Sequence, residues 1–331
     1  VILTVTLNAA IDKTLSVPSF RVGRRHRTVA QQAMAGGKGI NVARALKCLG
    51  RPVIATGLAG GATGTRIVEE LTAESILNDF VRIGEESRTN TSVLDPTSGE
   101  QTEINERGPR VSEAEIETFR DKLLYLARGA AIVVFAGSLP RGVEPSIYAD
   151  LIRELSKLGL TTVVDADGEP LRQAVKCGPD LVSPNVSEAE ELVGHEWADE
   201  AELAEGAREI VQMGAREAII TRHDGCYASL NIDGCQTLLR AQISEREPVA
   251  PAGSGDAFIA GYVAARYEGA AAEECLRLAV AAGADSTARM GAGVLELRDV
   301  ERLAGEVEVK TLQGGPAGDP VGGSDTMRRW K

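Results

Sequence analysis

A chain of 331 residues with 43% hydrophobic and 25% charged side chains holds one large domain or two smaller ones, with a composition ordinary for a globular protein. Its net charge of −12 at pH 7 argues against non-specific nucleic-acid binding, no stretch is long and apolar enough to span a bilayer, and the N-terminus shows no signal-peptide pattern. Five scattered cysteines and three histidines lack metal-ligand spacing, which points to reduced thiols in a cytoplasmic protein rather than to a zinc site.

In chain order, residues 1–7 read as a strand. The segment 40–49 carries Val42, Ala45, Leu46 and Leu49 at i, i+3, i+4 and i+7, an amphipathic helix that Gly50 and Pro52 stop. A strand over 53–58 and a helix over 65–77 follow. Residues 131–135 form a continuous apolar run, as in a strand buried on both faces. Next come a helix over 145–158 and a strand over 161–164 that ends at Asp165. Leu181-Val182 and Ala218-Ile219-Ile220 continue the series, and helices over 256–268 and 272–289 close it. This alternation predicts an α/β fold, a mostly parallel sheet with helices on both faces. Ligands bind such sheets beyond the carboxyl ends of the strands, where Gly137, Asp165, Asn185 and Thr221 lie.

Two stretches, 13–34 and 88–104, break the rhythm. They read as short extended pieces, with Asp95-Pro96-Thr97-Ser98-Gly99 as a hairpin-type connection, and predict a small antiparallel β lid over the site. The α/β core then comprises 1–12, 35–87 and 105–310. Residues 311–331, with Gly-Gly-Pro, Gly-Asp-Pro and Gly-Gly-Ser, are expected to form a disordered tail.

The chemistry concentrates in two glycine clusters. Gly253-Ser254-Gly255-Asp256 precedes an apolar helix. Its glycines allow a tight turn that points successive N–H groups at one spot, and the helix adds its positive end there. An anion is favoured at that spot, with a carboxylate beside it. Phosphoryl transfer needs both: donors for the phosphoryl oxygens and a base for the attacking hydroxyl. The alternative is a glycine turn with an acidic helix start that only complements the dipole. Gly36-Gly37-Lys38-Gly39 feeds the helix at 40–49 in the same way, although its spacing is not that of a Walker A loop. Two anion sites suggest two phosphorylated ligands, a donor and an acceptor.

Asn8-Ala9-Ala10-Ile11-Asp12, the Gly36-Gly37-Lys38-Gly39-Ile40-Asn41 run, Gly137-Ser138-Leu139-Pro140, Pro184-Asn185-x-x-Glu188 and Gly253-Ser254-Gly255-Asp256 occur in that order. Over residues 1–305 the chain thereby resembles the phosphofructokinase-B branch of the ribokinase-like sugar kinases, most of all the 1-phosphofructokinase and tagatose-6-phosphate kinase group. The resemblance implies ATP-dependent, magnesium-assisted phosphorylation of a ketohexose phosphate in the cytoplasm, and a lid through which many members form homodimers. It also implies roles. Asp256 is the base, and the N–H groups of Ala252, Gly253, Ser254 and Gly255 stabilise the transferring phosphoryl. Asp12 binds sugar hydroxyls. Gly36, Gly37, Lys38 and Asn41 line the sugar site, and Arg88, Asn90 and Ser138 contact the substrate and its phosphate, a task that suits the planar fork of Arg88. Arg27, in the basic cluster Arg21, Arg24, Arg25, His26 and Arg27, matches a family position at the sugar site; a solvated lid face is its other reading. Asn185, Glu188, Thr221, Gly225 and Ala252 attend the nucleotide, with Glu188 placing magnesium through water. A capping box of Ser187 and Glu190 would make part of that acidic cluster structural.

Three positions depart from the family pattern. Ser183 stands where a lysine is common, His223 stands near an expected glycine, and Ala250-Pro251-Ala252 lacks the usual threonine. These bear on the phosphoryl donor, and Arg222 is a candidate for the missing charge. Lys38 and Arg88 argue against a nucleoside or neutral-sugar kinase, and the intact Gly253-to-Asp256 run argues against a non-catalytic sensor. Among ketohexose phosphates, Glu103 disfavours fructose 6-phosphate. Fructose 1-phosphate ranks ahead of tagatose 6-phosphate, although Thr102-Glu103-Ile104 itself resembles the tagatose kinases.

Overall fold

A computed structural model of the chain describes residues 1–244 and 252–314. The first half runs β1 (Ile2–Thr6), β2 (Ala10–Ser16), β3 (Ala30–Gly36), α1 (Lys38–Cys48), β4 (Val53–Gly60), α2 (Gly61–Ala73), β5 (Leu77–Ile83), β6 (Arg88–Leu94), β7 (Gln101–Ile104), α3 (Glu113–Ala127) and β8 (Ile132–Ala136). It continues through α4 (Ile147–Lys157), β9 (Thr161–Asp165), α5 (Gly168–Val175), β10 (Leu181–Val182), α6 (Val186–Val193), α7 (Glu200–Gln212) and β11 (Glu217–Arg222). The last elements are β12 (Gly225–Ile232), β13 (Cys235–Gln242), α8 (Ser254–Tyr267), α9 (Ala272–Thr287), α10 (Leu297–Ala304) and β14 (Glu308–Gly314).

Ten strands form the main sheet in the order β14-β13-β12-β11-β10-β9-β8-β1-β4-β5. From β11 to β5 every neighbour is parallel, while β12, β13 and β14 extend the sheet antiparallel. The apolar strand runs follow from burial on two faces. Ile132 and Val134 pack on the side of α1, α8 and α9; Val133 and Phe135 pack on the side of α3, α4 and α7. Each strand thus feeds two cores with alternate residues. After β1 the chain builds outward through β4 and β5, then returns to the other side of β1 for β8, β9, β10 and β11. The reversal opens a crevice beyond the carboxyl ends of β1 and β8, the place where such sheets bind ligands.

The lid is a separate sheet, β3-β2-β6-β7. Its central pair, β2 and β6, is parallel, so the expectation of an antiparallel lid is corrected: both strands leave the core in the same direction, with Ala10 opposite Arg88. The lid strands also reach further into the core than 13–34, from Ala10 to Gly36, and carry Asp12 with them. The helix expected over 65–77 stops at Ala73, because Ser75 turns with φ 58° and Leu77 opens β5. At the other end the core runs past residue 310: Glu308–Gly314 pairs with β13, and residues 315–331, where the rest of the expected tail falls, lie outside the described residues. Among the described residues no helix is long and apolar enough to cross a membrane.

Candidate active site

Both glycine clusters turn directly into a helix start, as their sequence predicts. Gly37 precedes α1 with φ 105° and Gly253 precedes α8 with φ 84°, and neither helix start takes a side-chain cap. Their first-turn N–H groups are therefore left for an incoming anion. The αL turn at Gly253 has a second reason: a Cβ there would lie 2.5 Å from the Cβ of Ala292. Asp256, in the first turn of α8, is only 5% exposed. Burial resists its ionisation and the nearby Asp165 adds to this; Lys38 and a hydrogen bond from Asn41 pull the other way, and the carboxyl is pushed up to about 7. The Asn41 Nδ2 donates to Asp256 Oδ2 at 2.8 Å.

The head of α8 parts two cavities. Ser254 and Gly255 line one of about 350 Å³, together with Thr221, Arg222, His223, Gly225, Phe258 and Ala284. Ala252 and Gly253 line the other, of about 210 Å³, with Asp12, Asn41, Asn90 and the lid residues Gln32, Gln101 and Glu103. A third, polar cavity of about 200 Å³ shares Asn90 and Asn105 with it and is lined also by Asn8, Lys38, Arg88 and Ser138. Ala252 thus faces the same side as Asp12, not the side of Thr221 and Gly225 where the sequence puts it.

On the Asp12 side, Asn90 Nδ2 donates to Asp12 Oδ1 at 2.8 Å, and a Cβ on Gly36 would stand 1.9 Å from Asp12 Oδ2. Any side chain at position 36 would have to displace that carboxylate. Burial raises the Asp12 pKa, against the Asn90 hydrogen bond and the charge of Arg88. Arg88 is itself held by the Asn8 and Glu106 carbonyls, each at 3.1 Å.

Lys38 bridges the two ends. Its Nζ lies 3.0 Å from Asp165 Oδ1 and 3.4 Å from Glu188 Oε1. Burial alone would lower its pKa; the carboxylates of Asp165, Glu188 and Asp256 outweigh burial and hold the ammonium above its ordinary range. Glu188 does double service. The capping box of α6 is Asn185 with Glu188, not Ser187 with Glu190, because the chain leaves Pro184 extended at Asn185 and turns helical at Val186. Asn185 Oδ1 accepts from the Glu188 N–H and Glu188 Oε2 accepts from the Asn185 N–H. That leaves Oε1 of Glu188 for Lys38.

Comparison with known proteins now decides the family. The sequence pattern of the "pfkB family carbohydrate kinase" matches residues 5–297. The chain belongs to the pfkB family of carbohydrate kinases. It is a phosphotransferase with a hydroxyl group as acceptor and ATP as co-substrate. A 1-phosphofructokinase of Borreliella burgdorferi is 32% identical over 94% of this chain and 99% of its own length. A tagatose-6-phosphate kinase of Staphylococcus epidermidis is 30% identical over 93% and 99%. Among solved structures, phosphofructokinase-2 of Escherichia coli in complex with substrates and products superposes with a TM-score of 0.86 at 30% identity, covering 92% of this chain and 98% of that one.

Within this pfkB kinase several expected site residues assemble and others do not. Asp12, Asn41, Asn90, Gly253 and Ala252 share one cavity, and Thr221, Gly225, Ser254 and Gly255 share the next. Arg27 stays exposed in the connection between β2 and β3, outside the cavity linings above. Ser183 is buried, and its hydroxyl finds no partner among the described residues. Arg222 reaches the rim of the larger cavity but is tied to Asp224 and Glu200, each at 3.0 Å, over the Tyr227 ring. The positive charge paired with Glu188 among the described residues is that of Lys38. Ala250 and Pro251 lie outside the described residues. Sequence reasoning leaves out Asp165 as a site member, although its place at a strand end is visible, gives Asn8 no role beyond its place in a motif, and leaves out Arg44 altogether.

The site also fits a magnesium ion of the kind kinases use. Among the described residues no group of three His, Cys, Asp or Glu side chains makes a metal cage. Magnesium seldom needs one: it keeps several waters and takes one or two carboxylates plus phosphate oxygens. Glu188, an oxygen donor beside the crevice, suits that manner of binding.

The Gly253 geometry is open to test. Gly253→Ala should destabilise the protein by about 1–3 kcal/mol in urea unfolding, since alanine there adopts a strained backbone and meets Ala292. An unchanged unfolding midpoint would show that the turn does not require the αL conformation.

Proposed function

We propose that this kinase transfers the γ-phosphoryl of ATP, with magnesium, to a ketohexose phosphate, and that fructose 1-phosphate is the preferred acceptor, giving fructose 1,6-bisphosphate. One observation carries this reading: the head of α8 parts two cavities, Asp256 sits in its first turn, and the smaller of them shares Asn90 and Asn105 with a polar cavity lined by Lys38, Arg88 and Ser138. An acceptor with a phosphate at one end and a free hydroxyl at the other fits that layout. A neutral sugar would bring no charge to complement the Arg88 guanidinium, which is held by carbonyls.

In this reading Asp12 and Asn90 accept and donate to the ring hydroxyls and fix the sugar. Arg88, Lys38 and Ser138 hold its phosphate. The Asp256 carboxylate takes the proton of the attacking hydroxyl through the oxygen that Asn41 leaves open. The N–H groups at the start of α8 receive the charge that gathers on the transferring phosphoryl, and their fixed direction means no reorganisation at that moment. When bound, magnesium screens the charge of the ATP phosphates; Glu188 would hold it through water, with Asn185 orienting the carboxylate. Nucleotide contacts fall to Thr221 and Gly225. Self-association through the lid, where Val22, Val29 and Ile104 are exposed, belongs to the same reading; light scattering reporting a monomer would remove it.

Substrate choice rests on the lid. Glu103 lines the smaller cavity, and an acid there repels a phosphate approaching that side. The second reading, tagatose 6-phosphate, is favoured by the Staphylococcus epidermidis relative. A coupled ADP-release assay with fructose 1-phosphate, fructose 6-phosphate, tagatose 6-phosphate and fructose separates them. The highest kcat/KM is expected for fructose 1-phosphate. A preference for either 6-phosphate overturns the ranking, and turnover of unphosphorylated fructose at the same kcat/KM overturns the roles of Arg88 and Lys38.

In the same assay Asp256→Asn should lower kcat by about 10²–10⁴-fold while unfolding cooperatively as the wild type does. Turnover near that of the wild type would take Asp256 out of the mechanism.

A further inference from the structure

Arg44 is a cation in the interior, 4% exposed, one turn after Asn41 on α1. A guanidinium has five N–H bonds, and here each has a partner. Nε donates to Glu74 Oε2 at 2.6 Å, and Nη2 donates to Glu74 Oε1 at 3.0 Å and to the Ala35 carbonyl at 2.7 Å. Nη1 donates to the Ala292 carbonyl at 3.0 Å and to Asn41 Oδ1 at 3.3 Å. These partners are the residue before the Gly36-Gly37 turn, the segment that abuts Gly253, the end of α2, and Asn41 itself.

The chemistry of this contact has a direction. Arginine only donates, so Asn41 must turn its carbonyl oxygen to Arg44. Its NH₂ group then faces Asp256. We propose that Arg44 is a positioning residue for phosphoryl transfer: by holding the Asn41 carbonyl it keeps the Asn41 NH₂ on Oδ2 of Asp256 and reserves Oδ1 for the acceptor hydroxyl. This rests on the reading of Asp256 as the base. With Arg44 removed, the Asn41 amide is free to flip and set an oxygen against the carboxylate, or to swing away. Either change takes a donor from the charged form of Asp256 and favours its protonation. The other groups acting on that carboxyl are Asp165 and Asp12, which raise its pKa, and Lys38, which lowers it; Arg44→Lys and Arg44→Met leave all three in place.

The test compares wild type, Arg44→Met, Arg44→Lys, Asn41→Ala and the Asn41→Ala/Arg44→Met pair in kcat, KM and pH profile, with fructose 1-phosphate and magnesium ATP. Arg44→Met should lower kcat by about 10- to 100-fold with much smaller changes in either KM. The acid limb of its kcat profile should move up by about one to two pH units, the worth of a hydrogen bond to a charged group. Arg44→Lys keeps a cation for Glu74 and the fold, yet one ammonium cannot replace the fork, so the limb should still move up. On the Asn41→Ala background Arg44→Met should shift the limb no further. A folded Arg44→Lys or Arg44→Met enzyme with an unmoved limb overturns the proposal, as does an equal further shift without Asn41. If instead Asp256→Asn keeps its turnover, the reading of the base fails rather than the coupling through Arg44.

Discussion

Asp256 is a carboxylate placed where water scarcely reaches it, and most of the local architecture answers to that burial. Desolvation favours the protonated acid, whereas the proton acceptor proposed here must be ionised. Asn41 and Lys38 supply the opposing pull, and the outcome is a carboxyl pushed up to about 7. A group in that range loses its proton near neutrality and is still basic enough to take one from a hydroxyl. The same burial costs stability. A carboxyl that binds its proton more tightly in the folded state contributes stability that is full below the unfolded pKa near 3.8 and is lost as the pH rises through about 7.

The fold explains why these groups meet. The reversal of strand order at β1 opens the crevice, and Asp165, Ser138 and Thr221 arrive at its edge from the ends of parallel strands or just beyond them. Two helix starts, at Gly37 and Gly253, converge on it with uncapped N–H groups. The lid strands β2 and β6 leave the core there and carry Asp12 and Asn90, paired in register across the sheet. Rigid strands and helix starts, rather than long loops, hold the polar groups, which keeps their spacing tight.

Much of this is legible in the sequence because it is local. A glycine turn before an apolar helix has the same form wherever it occurs, and the all-apolar run at 131–135 implies a strand covered on both faces. What is not local stays hidden. Arg44 sits in an amphipathic helix, where an arginine reads as a solvated side chain; its partners other than Asn41 are 9, 30 and 248 residues away. Ala252 and Gly255 are three residues apart yet line different cavities, with the αL residue Gly253 between them. The capping box at Asn185 is displaced from Ser187 by an extended residue after Pro184, and a parallel pair within the lid follows from where its strands leave the core, which periodicity does not encode.

The ionisation of the Asp256 carboxyl in the resting protein is directly measurable. The side-chain carboxyl of Asp256, labelled with ¹³C at Cγ and assigned by its absence in Asp256→Asn, can be titrated by NMR in the nucleotide-free kinase. A midpoint near 7 is the expected result. A midpoint near the ordinary aspartate value of about 4 would contradict it, and would mean that burial does not tune this group.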